Sequence, residues 1–462
     1  MLAREDRRSL TAELDRELSR IREDFTVTRD KLKEISRRFE EELKEGLEQD
    51  NQNISMHPTW VCGLPTGRES GDFVTLDLGG TNIRVCHVKL HGKGVKRDID
   101  QAKYKLPEDI KTSDAGSLWD FVADDLKKFL ESHSLHRPGE EPIPFGFCFS
   151  YPAHQDRIDH GVLKTWTKGF DVKGVEGEDV AAQLKDAIEK RDLPLKLVAL
   201  VNDTTGALVA SAYTDPDTLI GAIFGTGCNA AYVEDVGSIP KLKTTLPPET
   251  PMVINCEYGA FDNAHRVLPR TKYDQTIDEQ SPRPGEQSFE KMSAGLYLGE
   301  IFRLVVLDLH ERGVIFKDAN VSEIRKPYRL DTEFLSAVEN ESLDSTMSRF
   351  RDELGVVPTP EEAELLRQLG EIIAVRSARL CSCGIAAICR MKRISSGHVA
   401  ADGSVANKHP EFKGRWAEAL GEVLDWPESR KEDPITIISA EDGSGIGAAI
   451  ITAMTLERNG SK

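Results

Sequence analysis

Cysteine is scarce in this 462-residue chain, and none of it is paired by spacing. The 8 cysteines, Cys62, Cys86, Cys148, Cys228, Cys256, Cys381, Cys383 and Cys389, stand in apolar runs, and no two have the C-x-x-C interval. That pattern implies reduced core thiols and excludes a disulfide frame. Cys381, Cys383 and Cys389 lie close together, but in a helix-like run without histidine, which excludes a structural zinc site. The 11 histidines form no H-E-x-x-H motif. No uninterrupted apolar segment approaches the length of a membrane span. Positive charge is also short: Lys and Arg total 60 against 78 for Asp and Glu, a net −18, which argues against a nucleic acid or an anionic membrane as partner. The first twenty residues lack the apolar core of a signal peptide and are too acidic for a transit peptide. The expectation is a soluble, cytoplasmic protein.

At this length a single core stops growing, so two or three compact units are expected, and 39% hydrophobic residues suffice to pack them. Leu10, Leu14, Leu18, Ile21 and Phe25 form one helical stripe, and Leu32, Ile35, Phe39 and Leu43 a second. Asp50 to Gly71 reads as irregular connection. Phe73 to Leu78, then Gly79-Gly80-Thr81-Asn82, then Ile83 to Leu90 reads as strand, tight turn and strand. A strand follows these glycines where a dinucleotide fingerprint requires a helix, so dinucleotide binding is not supported. The pattern returns around Gly225-Thr226-Gly227. A third glycine cluster, Ser439 to Gly447, joins a strand to a helix and suits an anion or a nucleotide lying against backbone. Residues 290 to 310 and 361 to 393 read as helices. His398 to Phe412 reads as a polar turn region ahead of a helix from Trp416 to Leu424.

The stretch LKLVALVNDTTGALVASAY, from Leu195, is a short apolar strand that ends at Asn202-Asp203 before a helix, the usual place for ligand crevices in α/β sheets. Asp203 is read either as the helix N-cap or as a general base. Local sequence leaves both open.

Together these motifs resemble the hexokinase family of ATP-dependent sugar kinases, its fungal members most, from about Phe25 to about Met454. LDLGGTNIRV resembles the family's first phosphate loop, FGTGCNAAY its second and SAEDGSGIGAA its adenosine loop. FSYPAHQDRIDHGVLKTWTKGF and VNDTTGALVASAY resemble the sugar loop and the catalytic-base segment, and INCEYGAF and PGEQSFEKMSAGLYLGE complete the set. The resemblance implies an α/β, two-lobed actin-like ATPase (ribonuclease H-like) fold with a small and a large domain around a cleft. It assigns residues 1–67 to N-terminal helices and connection of the large lobe, 68–202 to the small lobe, 203–447 to the large lobe, and 448–462 to a helix returning to the small lobe. Its implied activity is transfer of the γ-phosphoryl of ATP to the 6-hydroxyl of glucose, fructose or mannose. A sugar-sensing regulator with little activity is the alternative, and an actin-like filament former a further one.

By the same resemblance Asp203 is the base and Lys168 the cation beside the transferring group. Ser150, Thr167, Asn202, Asn229, Glu257 and Glu290 surround the sugar, with a weaker claim for Asn255. Asp77 holds Mg²⁺ through water. Gly79, Gly80, Thr81, Asn82 and Arg84 meet the ATP phosphates opposite Thr226 and Gly227, while Ser404, Gly443 and Ser444 lie on the nucleotide side. Ile83, Ser293-Ala294 and Ile446 depart from the usual residues of their motifs. One catalytic unit is present, as monomer or homodimer.

Overall fold

The computed structural model describes residues 10–92, 97–135, 141–166 and 170–460. Two sheets built to one plan organise them. The first carries β1 (Ser70–Leu78), β2 (Asn82–His91), β3 (Asp98–Lys105), β4 (Ile143–Phe149) and β5 (Leu195–Val201), in the order β3-β2-β1-β4-β5. The second carries β6 (Thr218–Phe224), β7 (Cys228–Asp235), β8 (Pro251–Asn255), β9 (Gly397–Asp402) and β10 (Ile435–Ser439), in the order β8-β7-β6-β9-β10, with His57–Pro58 added beside β8. In each, the first three strands are antiparallel and the last two run parallel to the first.

Helices α1 (Ala12–Phe25) and α2 (Arg29–Glu48) bury the two stripes read from the sequence, and Thr11 and Thr28 cap them through their side chains. Helix α3 (Asp203–Thr214) follows β5 but packs on the second sheet; helix α5 (Ala448–Arg458) follows β10 but packs on the first. Glycines permit both exchanges. A Cβ on Gly221 of β6 would lie 2.7 Å from Leu208 Cβ, and one on Gly146 of β4 would lie 2.7 Å from Thr452 Oγ1. The crossed helices hold the sheets together, and a cleft opens at the carboxyl ends of β4, β5 and β8.

One reading needs correction. His398–Asp402 is not a turn but most of β9, paired parallel with β6 and β10; Val399, Ala400 and Ala401 are too short and too small a run to signal a strand, and only burial on both faces makes them one. Helix α4 (Pro360–Lys392) is long and apolar enough to cross a membrane by length and composition only; Arg376 and Arg379 interrupt its apolar stretch, 83% of which is buried inside the fold.

Candidate active site

At the end of β5 the chain turns directly into α3. Asn202 is the cap: its side chain accepts the Thr204 N–H at 2.9 Å. The capping reading of Asp203 is therefore overturned, since Asp203 is the first helical residue. Its Oδ1 accepts from the Thr204 N–H at 2.8 Å and the Thr204 hydroxyl at 3.3 Å, within the positive end of the helix dipole. Asp203 is half-buried there.

Opposite it, the β7 and β8 ends contribute a polar cluster. Asn229 Nδ2 lies 3.1 Å from Thr204 Oγ1, 2.7 Å from Asn255 Oδ1 and 3.2 Å from Glu257 Oε1. Its Oδ1 accepts the Ala230 and Glu257 N–H groups at 2.8 and 2.9 Å. Asn255 Nδ2 donates to Glu257 Oε1 at 2.9 Å, so Asn255, given the weaker claim on sequence grounds, stands inside the cluster. Glu290 Oε2 accepts the Cys228 N–H at 3.0 Å, which places it beside Gly227. Amides and carboxylates in this mixture suit a ligand whose hydroxyls both donate and accept. Phe39 of α2 supports both glutamates from behind: its ring stacks on Phe261 at 3.8 Å and meets Tyr258 and Phe289 edge-on at 5.5 and 5.0 Å. Tyr258 and Phe289 adjoin Glu257 and Glu290 in the chain.

The β1–β2 turn closes the other side. Asp77 pairs with Arg84 in the ladder, and their side chains lie 3.7 Å apart. Burial pushes the Asp77 carboxyl above its ordinary value; Ser444 and Arg84 pull it down, and the charges of Asp203 and Asp442 raise it further. Arg84 grips Asp442 bidentately, at 2.6 Å on both oxygens, and also donates to Ser444 Oγ. Asp442 was missed in the sequence, although it stands in the glycine cluster; only the fold shows that it faces Arg84. Gly79 O accepts from the Tyr151 hydroxyl at 3.1 Å, and Gly79 N donates to Asn82 O, leaving Gly80, Thr81 and Asn82 at the open edge of the turn.

On the nucleotide side, Thr226 is exposed, and its carbonyl accepts the N–H of Leu296, an exposed leucine that sequence reasoning passed over. Ser404 opens the short helix Ser404–Lys408 and is exposed. Gly443 is buried against α3, and Ile446 is buried in the core. A Cβ on Gly206 would sit 2.2 Å from Gly443 O, so backbone meets backbone here. Gly206→Ala is expected to cost about 1–3 kcal/mol of stability and to raise KM for ATP. Gly414→Ala, in a helix with open space around it, is the control and should not destabilise. Urea denaturation and ATP titrations check the pair.

Ser150 follows β4 and is half-buried. Thr167 and Lys168 lie outside the described residues. Next to Asn202 and Asn255 a small open cavity lies, lined also by His57, Thr59, Phe149, Tyr151 and Gln155. Burial holds the His57 imidazole well below 6.5, and the charges of Lys164, Lys241 and His154 add to this. The folded chain therefore refuses a proton that the unfolded chain accepts. Its contribution to stability is intact above pH 6.5 and is lost as pH falls below that value, by up to about 1.4 kcal/mol per unit. Chemical denaturation between pH 7 and 5 should show a shallower fall for His57→Gln than for the wild type.

Comparison with solved structures places the fold. A Schistosoma mansoni hexokinase complexed with glucose matches with TM-score 0.86 and 34% identity over 96% of this chain and 99% of that one. A second hexokinase crystal structure matches at TM-score 0.81 and 28% identity, over 96% and 99%. The duplicated sheets, exchanged helices and cleft are those of a two-lobed, actin-like sugar kinase. Hexokinase family models match residues 17–213 and 219–454. A hexokinase of Emericella nidulans is 54% identical over 94% of this chain and 89% of its own length, and hexokinase-1 of Saccharomyces cerevisiae 49% identical over 96% and 93%. The chain belongs to the hexokinase family and is an ATP-dependent sugar kinase.

Proposed function

We propose that this protein transfers the γ-phosphoryl group of ATP to the 6-hydroxyl of glucose, with Asp203 as the base and the sugar held between the Asn229–Asn255–Glu257 cluster and the end of β4. The observation that carries this reading is the meeting, at the carboxyl end of β5, of a helix-start carboxylate with that cluster of amides and acids. The glucose bound to the Schistosoma enzyme supports the choice of hexose; fructose and mannose present the same 6-hydroxyl and are included as substrates.

Phosphoryl transfer asks the protein for position and charge more than for covalent work. Asp203 takes the proton of the 6-hydroxyl as that oxygen attacks phosphorus. Asn202, its own amide engaged in the cap, fixes the backbone that presents Asp203. Asn229, Glu257, Glu290, Ser150 and Thr167 orient the ring, and Lys168 steadies charge on the moving group. Gly79, Gly80, Thr81 and Asn82 approach the phosphates from one side and Thr226 and Gly227 from the other, with Ser404, Gly443 and Ser444 toward the nucleoside. Arg84 serves that side through Asp442 and Ser444, which it already holds.

Asp77 is the residue for Mg²⁺. Its carboxylate is partly open to the cleft at 21% exposure, and among the described residues no cluster of three metal-ligating side chains exists. One carboxylate fits a hydrated Mg²⁺ carried mostly by ATP and water. The ion, when bound, neutralises phosphate charge. Lobe boundaries at residues 67, 202 and 447, a cytoplasmic location and a monomer or homodimer complete the reading. A coupled assay for glucose 6-phosphate with ATP, Mg²⁺ and glucose tests it; absence of turnover favours the sugar-sensing alternative.

A further inference from the structure

Two loops from opposite sheets meet at one arginine. Arg283 precedes the helix Ser288–Ser293 in the second half of the fold. Its Nη2 donates to Thr165 Oγ1 at 2.5 Å and to Trp166 O at 3.4 Å, both in the segment joining β4 to β5. The arginine stands on a fixed base. Lys291, whose side chain is 5% exposed, donates to Arg283 O at 2.8 Å and to Asp278 Oδ1 at 2.6 Å. The Gly285 N–H reaches the same Asp278 oxygen at 3.0 Å, and Arg270 holds the other at 3.1 Å.

The receiving side is equally fixed. Trp166 is buried; its indole N–H donates to Val172 O at 3.1 Å, and its ring packs edge-on against Tyr151 with centroids 4.9 Å apart. Tyr151 lines the cavity beside Asn202 and Asn255 and donates to Gly79 O. The guanidinium itself is half exposed, and among the described residues its carboxylate neighbour is Glu286, 3.6 Å away. A contact in that setting contributes through geometry more than through charge.

We propose that Arg283 is a positioning residue, a latch across the cleft that ties Thr165 and Trp166 to the opposite lobe in the arrangement that receives the sugar. The inference rests on the reading of the cleft as the hexose site. Because the bond joins the two halves and touches neither ATP loop, its loss acts on sugar affinity. Arg283→Ala is expected to raise KM for glucose about three- to tenfold, the worth of one or two net hydrogen bonds, with kcat and KM for ATP within about twofold. Thr165→Val should reproduce much of this from the other side, and Arg283→Lys, which keeps a donor, should recover part of it.

The test is a double-mutant cycle on the full chain, read by steady-state kinetics and by glucose titration of tryptophan fluorescence without ATP. The latch predicts matching shifts in KM and in the glucose Kd, and an Arg283→Ala/Thr165→Val double variant no weaker than Arg283→Ala alone. Additive effects, unchanged glucose affinity in Arg283→Ala, or an equal rise in KM for ATP overturn it. Those outcomes leave the wild-type enzyme making glucose 6-phosphate; failure of the wild type to do so overturns the cleft reading instead.

Discussion

Asp203→Ala should lower kcat by at least about 10² and as much as about 10⁴, roughly 3–5 kcal/mol of barrier, while glucose still binds. The split is expected because alanine gives up only two local bonds, from the Thr204 N–H, which Asn202 also accepts, and from the Thr204 hydroxyl. The cap of α3 is supplied by Asn202, so the helix start survives. The sugar cluster survives too, since Asn229 bonds to Thr204, Asn255 and Glu257, with no contact to Asp203 among its partners. What disappears is the acceptor for the proton of the attacking hydroxyl. Single-turnover kinetics together with a glucose Kd from fluorescence separate the two effects. Turnover near normal would remove Asp203 from the base role.

Arg376→Met should destabilise the fold by about 3–5 kcal/mol without touching the cleft. Arg376 and Asp274 are fully buried and joined by two hydrogen bonds of 2.8 Å, and the guanidinium lies 4.4 Å from the ring of Phe25 on α1. One side chain on α4 thereby fastens both the helix Lys272–Gln280, where Asp274 completes the capping box, and the N-terminal helix. Methionine fills much of the volume but strands the Asp274 carboxylate in the interior. A urea midpoint lowered in proportion, with kcat of the folded fraction unchanged, is the expected result. A loss under about 1 kcal/mol would show that water reaches Asp274 in the variant.

Much of this was legible in the chain, for identifiable reasons. The two hairpins could be read because Gly79–Asn82 and Gly225–Gly227 interrupt apolar runs at the spacing a tight turn needs, and the structure pairs Leu78 with Ile83 and Phe224 with Cys228. The α1 and α2 stripes were legible because each buries one face only. β9 was not, since Val399-Ala400-Ala401 gains its strand character from neighbours on both sides. At the site, Asp203 could be found at a strand end, but which residue caps α3 depends on where the first helical turn begins, and that is a tertiary outcome. Asp442 and Arg283 were invisible for another reason. Their partners, Arg84 and Thr165, stand 358 and 118 residues away, and no local pattern records such pairings.

The central claim is that the acceptor is the 6-hydroxyl of a glucose held beside Asp203. It is tested most directly by incubating the protein with MgATP and either glucose or 6-deoxyglucose, and following the products by ³¹P NMR. The account predicts one glucose 6-phosphate per ATP consumed, and no phosphorylated product from 6-deoxyglucose although that sugar still competes with glucose for binding. Phosphorylation of 6-deoxyglucose, or no product from glucose, would contradict it.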